Sequence, residues 1–227
     1  MREIVFDTET TGIDPRSGDR MVEIGCIEMV NRVPTGRTFH AYFNPDCAMP
    51  LEAERIHGLT DTFLADKKRF HEHALELIDF LGDCPLVAHN AQFDFSFLNF
   101  ELDQCGHPHV DHARMIDTLA LARRRHPGAK HSLDALCSRY GVDRSHRVLH
   151  GALLDAELLA QVYVELTGGR QIGLALAATT VPVTLDTGAS RPRARAFRPP
   201  RPHAPSVAEL ARHKAFVEAL DSPLWTQ

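Results

Sequence analysis

An α/β fold is predicted for residues 1–170, a mixed five-stranded sheet flanked by helices, and three observations point to it. Apolar residues follow strand periodicity near residues 3–7, 21–30 and 38–43. The period then lengthens to that of a helix, and short apolar runs return between helical segments. Three consecutive antiparallel strands followed by βα alternation give a mixed sheet with helices on its faces. Taken in order, Ile4-Val5-Phe6-Asp7 opens the first strand, and Asp14-Pro15 and Pro34-Thr35-Gly36 supply the connections to the next two. Ala74, Leu77, Ile78 and Leu81 share one helical face, Leu86-Val87-Ala88 is a buried strand, and residues 93–105 are a second helix. Met115-Ile116 provides the fifth strand. Ser132 caps a helix running to Tyr140, and residues 152–167 form the longest helix, stopped by Gly168-Gly169.

Four acidic residues occupy positions where this fold wants apolar side chains. Strand alternation sets Asp7 and Glu9 on the same face as Val5. Helical spacing sets Asp94 on the buried stripe with Phe97, Leu98, Leu102 and Cys105, and Asp155 on that of Leu158, Leu159, Val162 and Leu166. A lone buried carboxylate costs several kcal/mol unless a positive group meets it. No Lys or Arg stands near these positions in a way that supplies a partner, so a divalent cation is expected. An all-oxygen donor set selects a hard ion, two Mg²⁺ or Mn²⁺, rather than zinc. Two such ions clamp the attacking and leaving oxygens of a phosphoryl displacement, which makes phosphodiester hydrolysis the natural use. His150, five residues before Asp155, is the candidate general base, because an imidazole ordinarily titrates near neutrality.

Composition excludes several other classes. The chain has 227 residues, 44% hydrophobic and 24% charged, the balance of a globular protein with a sizeable core. Its longest uncharged stretch, residues 171–185, is too short for a bilayer and contains Pro182, so no membrane association is expected. The first residues run straight into a strand and lack the apolar core of a secretion signal. Five widely spaced cysteines without a Cys-x-x-Cys pair argue against a disulfide framework or a zinc finger, and a reducing cytoplasm is the expected location. Residues 183–205 carry five Arg and one Asp, a local charge of +4 that leaves −9 for the rest of a chain whose net charge is −5. The acidic body therefore offers no broad basic surface for nucleic acid and relies on metal ions and local contacts.

The organisation changes after Gly169. Residues 171–182 form a short apolar segment, and residues 183–205, with five Pro, read as a basic semi-extended linker. Residues 206–227 open with Ser206-Val207-Ala208-Glu209, the spacing of a capping box, ahead of Leu210, Phe216, Val217 and Leu220. An amphipathic helix and Trp225, the only Trp of the chain, have no core of their own to join, so a partner surface is their destination.

Phe6-Asp7-Thr8-Glu9-Thr10-Thr11-Gly12, His89-Asn90-Ala91-Gln92-Phe93-Asp94 and His150-Gly151-Ala152-Leu153-Leu154-Asp155 resemble, in order, the three motifs of the DEDDh exonuclease family. Over residues 1–170 the resemblance is to the proofreading branch that serves the bacterial replicative polymerase, and it includes Ile56-His57-Gly58-Leu59 and Leu166-Thr167-Gly168-Gly169. It implies a ribonuclease-H-like sheet and 3′→5′ hydrolysis of single-stranded or frayed 3′ DNA ends. It also implies metal ligation by Asp7, Glu9, Asp94 and Asp155, and base catalysis by His150. Thr10, Gly12 and Ile13 would border the terminal nucleotide, and His57, Asn90 and Phe93 would shape its pocket. Gln171, Leu174 and Leu176 resemble a motif that enters the beta sliding clamp. Leu210, Phe216, Val217, Leu220 and Trp225 resemble the segment that fastens such nucleases to the polymerase III alpha subunit. An RNA-trimming relative shares all three motifs, and a mainly structural bridge between clamp and polymerase is the alternative from outside enzymes.

Overall fold

The computed structural model describes residues 1–147, 149–169 and 204–219. The chain divides into two compact units, residues 1–176 and 177–227. In the first unit, five strands lie in the order β3-β2-β1-β4-β5. They are β1 (Arg2–Thr10), β2 (Met21–Val30), β3 (Val33–Tyr42), β4 (Leu86–Ala88) and β5 (Met115–Asp117). The first three pair antiparallel, while β4 runs parallel to both β1 and β5, so the mixed sheet predicted from periodicity is present.

One connection differs from the prediction. Chain reversal between β2 and β3 occurs at Asn31-Arg32, with Met29 opposite Pro34 and Val30 opposite Val33. Both turn residues have positive φ, 51° and 65°, the type I′ geometry whose twist matches a two-residue hairpin. Pro34-Thr35-Gly36 instead belongs to β3, beside a register irregularity between Ile27 and Met29. Proline is tolerated there because β3 is an edge strand with a neighbour on one side only.

Helices cover both faces. Ile4, Phe6, Ile24 and Cys26 pack with α3 (Phe70–Leu81) and α4 (Gln92–Gln104). Val5, Ile27, Met29 and Val87 pack with α7 (Ala152–Leu166). Smaller helices complete the unit: α1 (Leu51–His57), α2 (Asp61–Leu64), α5 (Thr118–Arg125) and α6 (Leu133–Tyr140). The first three of these carry no clear apolar stripe in the sequence. Thr60 caps α2, Asp117 caps α5 and Ser132 caps α6, each through its side-chain oxygen. After α7, Gly168 and Gly169 take φ of 107° and 73°, the left-handed stop that their pairing predicts.

In the second unit the described residues form α8 (Val207–Glu218). Ser206 and Glu209 close the capping box that their spacing predicts. Leu210 and Phe216 are exposed on α8 and Val217 is buried. Leu220 and Trp225, like Gln171, Leu174 and Leu176, lie outside the described residues.

Candidate active site

Strand β1 is longer than its parallel neighbour. The β1/β4 ladder pairs Ile4 with Leu86 and Val5 with Val87, and β4 ends at Ala88. The carboxyl end of β1 therefore stands clear on that side, in the crevice where sheets of this kind hold ligands. Alternation points Asp7 and Glu9 to the face covered by α7, while Thr8 donates its hydroxyl to Asp94 Oδ1 at 2.8 Å. Asp94 sits in the first turn of α4. Asn90, with φ of 64°, turns the chain from β4 toward that helix, and the Asp117 carboxylate accepts the Asn90 and Ala91 amides at the turn.

Asp155 arrives on the first turn of α7. Gly25, opposite Asp7 in the sheet, makes this approach possible: a Cβ there would overlap the backbone of Ala152 and Leu153. At the other end of the helix the Tyr163 hydroxyl donates to buried Glu3 at 2.8 Å, which ties that end of α7 to β1. His150 lies just before α7, half-exposed, its amide donating to the Ile56 carbonyl and its Nδ1 3.2 Å from Asp155 Oδ2.

Asp7, Glu9, Asp94, His150 and Asp155 together line one cavity of about 260 Å³, with Phe93 in its wall. All five residues of the predicted constellation are brought together. Thr10, Gly12, Ile13, His57 and Asn90 do not line it. Ile13, 86% exposed, borders a larger cavity of about 590 Å³ against α4. The Thr10 hydroxyl donates to the Gly12 carbonyl, and a Cβ at Gly12 would strike the Asp19 carboxylate. His57 is buried; its Nδ1 accepts the Leu59 amide, while its Nε2 has no hydrogen-bond partner among the described residues.

The charge arrangement departs from the sequence expectation in one respect. Arg147 does supply a partner: Nε and Nη2 donate to the two oxygens of Asp155 at 2.5 and 2.7 Å. Chain reversal between α6 and α7 brings it in from eight residues upstream, a proximity that helical or strand spacing cannot reveal. Glu23 is a second residue that sequence reasoning missed. Buried opposite Glu9 across β1 and β2, it is bonded to His40 Nε2 at 2.7 Å. A Glu inside the apolar run of β2 was the available signal.

One arginine does not balance so many acids. Burial, and then the charges of Asp94, Glu9, Asp155 and Glu23, raise the Asp7 carboxyl well above its ordinary value. Glu9 is pushed up to about 8, first by burial and then by Asp155 and Glu23. Asp94 rises to about 7 through burial, opposed by its hydrogen bond from Thr8. Uncompensated hard oxygens are what a divalent cation fits, and ligand atoms of Glu9, His150 and Asp155 all lie within 4.8 Å of one another.

These raised values fix a pH dependence. The folded, metal-free protein keeps protons that the unfolded chain gives up near 3.8 and 4.5, so stability falls as pH rises from about 4 toward about 8. Calorimetric melting in EDTA should show a lower Tm at about pH 8 than at about pH 5.5. Saturating Mn²⁺ should raise Tm more at the higher pH, by roughly 2.7 kcal/mol of stability per site at 100-fold over Kd. A flat profile in EDTA, unaltered by Mn²⁺, would contradict a strained acidic cluster.

A mixed sheet of ribonuclease-H-like order, with carboxylates gathered at the open end of its central strand, suits a nuclease of the divalent-metal-dependent kind, and the family match agrees with that class. The chain belongs to the exonuclease family, whose model matches residues 4–163. It is 48% identical over 223 residues to DNA polymerase III subunit epsilon of Rickettsia felis, covering 97% of each chain. Against the protein of that name from Escherichia coli K12, identity is 46% over 176 residues, 74% of this chain and 72% of that one. Among solved structures, exonuclease X in complex with 5′ overhanging duplex DNA is similar with a TM-score of 0.56 and 26% identity, over 73% of this chain and 90% of that one. Exonuclease I shares the fold with a TM-score of 0.62 at 18% identity, over 73% of this chain and 40% of that one. Among the described residues no helix is long and apolar enough to cross a membrane.

Proposed function

We propose that this chain is the proofreading subunit of a bacterial DNA polymerase III, a 3′→5′ exonuclease that removes mispaired 3′-terminal nucleotides as nucleoside 5′-monophosphates. The observation that carries the proposal is the buried acidic cavity, in a chain alike to a polymerase III epsilon subunit over 97% of both lengths. Asp7, Glu9, Asp94 and Asp155 would hold two Mg²⁺ or Mn²⁺. Bound there, such ions would lower the pKa of a water and would stabilise charge on the phosphate oxygens. His150, at the mouth of the cavity, takes the proton from the attacking water. The water oxygen bonds to phosphorus as the bond to the 3′ oxygen of the preceding nucleotide breaks, leaving a shortened strand with a 3′ hydroxyl.

Thr10, Gly12, Ile13, His57, Asn90 and Phe93 form the rest of the nucleotide subsite in this reading. Phe93 is supported by its place in the cavity wall and Ile13 by its exposure. Residues 1–170 do the chemistry; residues 171–182 engage the beta sliding clamp through Gln171, Leu174 and Leu176; residues 183–205 link; and residues 206–227 engage the alpha subunit. The capped α8, with exposed Leu210 and Phe216, supports the last assignment. The work is cytoplasmic.

The test compares 3′-mismatched, matched and single-stranded DNA with RNA of the same sequence, each in Mg²⁺ and in EDTA. Mismatched and single-stranded DNA should be shortened in Mg²⁺ alone, and RNA slowly or not at all; faster trimming of RNA would favour the RNA-processing relatives instead. Deleting residues 177–227 should leave hydrolysis of single-stranded DNA within about twofold and abolish capture by the alpha subunit, since the acidic cavity lies wholly within the first compact unit. An unfolded truncated protein, or one still captured normally, would overturn the modular part.

A further inference from the structure

Arg147 occupies the wall between two cavities. On one side is the acidic cavity; on the other is a space of about 290 Å³ lined by Asp134, Arg144, Arg147, Leu149 and His150. Its guanidinium is committed three ways. Nε and Nη2 span both oxygens of Asp155, Nη1 donates to Asp134 Oδ1 at 2.8 Å, and Nη2 also meets His150 Nδ1 at 2.7 Å. The side chain is only 10% exposed, whereas Asp134 is half-exposed and also holds Arg144 at 2.7 Å.

We propose that Arg147 is a resident counter-cation of Asp155 that exchanges with divalent metal, and that Asp134 is the acceptor that holds it when it withdraws. The proposal rests on the reading of Asp155 as a metal ligand. A guanidinium spanning both carboxylate oxygens and a divalent ion on the same carboxylate repel at close range, so each weakens the other. Withdrawal needs an acceptor and room. Asp134 already holds one nitrogen of the fork, and the second cavity adjoins it. Because Nη2 also meets His150, the same movement frees that imidazole as metal arrives. Arg147 and Asp134 are thus positioning residues, acting through Asp155 and His150.

Isothermal calorimetry of Mn²⁺ on the full chain, with melting curves in EDTA, tests the exchange. Arg147→Gln should tighten Mn²⁺ by about tenfold, the worth of one charge-assisted hydrogen bond. It should also lower Tm in EDTA, so that Mn²⁺ produces a larger rise than in the wild type. Asp134→Asn should weaken Mn²⁺ severalfold, because the arginine loses its alternative, and the double variant should bind as tightly as Arg147→Gln alone. The double variant is the discriminating one, because independent charge effects of opposite sign would offset each other there, whereas the exchange leaves Asp134→Asn without effect once Arg147 is gone. If Arg147→Gln folds poorly, Arg147→Lys, which keeps the charge but cannot span both oxygens, should still tighten Mn²⁺ by a smaller factor. Weaker or unchanged binding in the Arg147 variants, or an Asp134→Asn variant with wild-type affinity, overturns the exchange. A wild-type protein that binds no Mn²⁺ removes the metal reading itself.

Discussion

Asp7→Ala is expected to lower 3′-end hydrolysis by about 10³-fold or more while raising the melting temperature of the metal-free protein. The loss follows from removing a carboxylate of the cavity proposed to hold the cations, whose charge stabilisation is worth several kcal/mol at about 1.4 kcal/mol per tenfold in rate. The gain follows because burial and four acidic neighbours oppose ionisation of Asp7, a strain that alanine relieves. His150→Ala should also cost about 10²- to 10⁴-fold in rate, the range for losing a general base, yet leave Mn²⁺ affinity far less affected than Asp7→Ala does. Turnover, calorimetric Mn²⁺ titration and melting in EDTA on both variants separate the two roles. Wild-type turnover by His150→Ala at neutral pH would remove it from the mechanism, and a metal-free Asp7→Ala protein that melts lower would show that Asp7 is not strained.

Gly25→Ala should be nearly as damaging, although Gly25 carries no chemistry. Its Cβ would fall on the backbone of Ala152 and Leu153, and a helix backbone cannot rotate aside as a side chain can. The first turn of α7 must move off the sheet and take Asp155 with it. Overpacking of this kind costs about 1–3 kcal/mol, and misplacing a catalytic group by about 1 Å can cost about 10²-fold in rate. Urea denaturation should give a lower midpoint, and assays at saturating Mg²⁺ should show the rate loss persisting. A variant with wild-type stability and rate would mean that α7 is not seated on β2 at this point.

Much of this arrangement was legible because the relevant residues break a pattern. Asp7, Asp94 and Asp155 stand out as acids within runs whose apolar period identifies β1, α4 and α7, and each is found where that period puts it. Elements without a pattern were not legible. α1 leaves Leu51 and Ile56 exposed, and α5 ends in Arg123, Arg124 and Arg125, so neither shows a buried stripe. The hairpin at Asn31-Arg32 was hidden because arginine seldom adopts positive φ, while Pro34 and Gly36 nearby carry the stronger turn signal. Arg147 escaped for a different reason: its ion pair depends on two helices and a loop meeting in three dimensions. Isolation of a polar residue is visible in one dimension, and its partner often is not.

The seating of α7 on β1 also constrains the birth of the protein. Synthesis runs from the amino end, and domains generally fold as units. Strand β1, with Asp7 and Glu9, emerges early, whereas Asp155 rides on α7, the last helix among the described residues of the first unit, and finds its place only against strands made long before. A ribosome-bound chain stopped short of α7 therefore holds only an incomplete carboxylate set. On the proposed function, cutting power would appear abruptly, with the closing helix, because the carboxylate set is complete only when α7 docks.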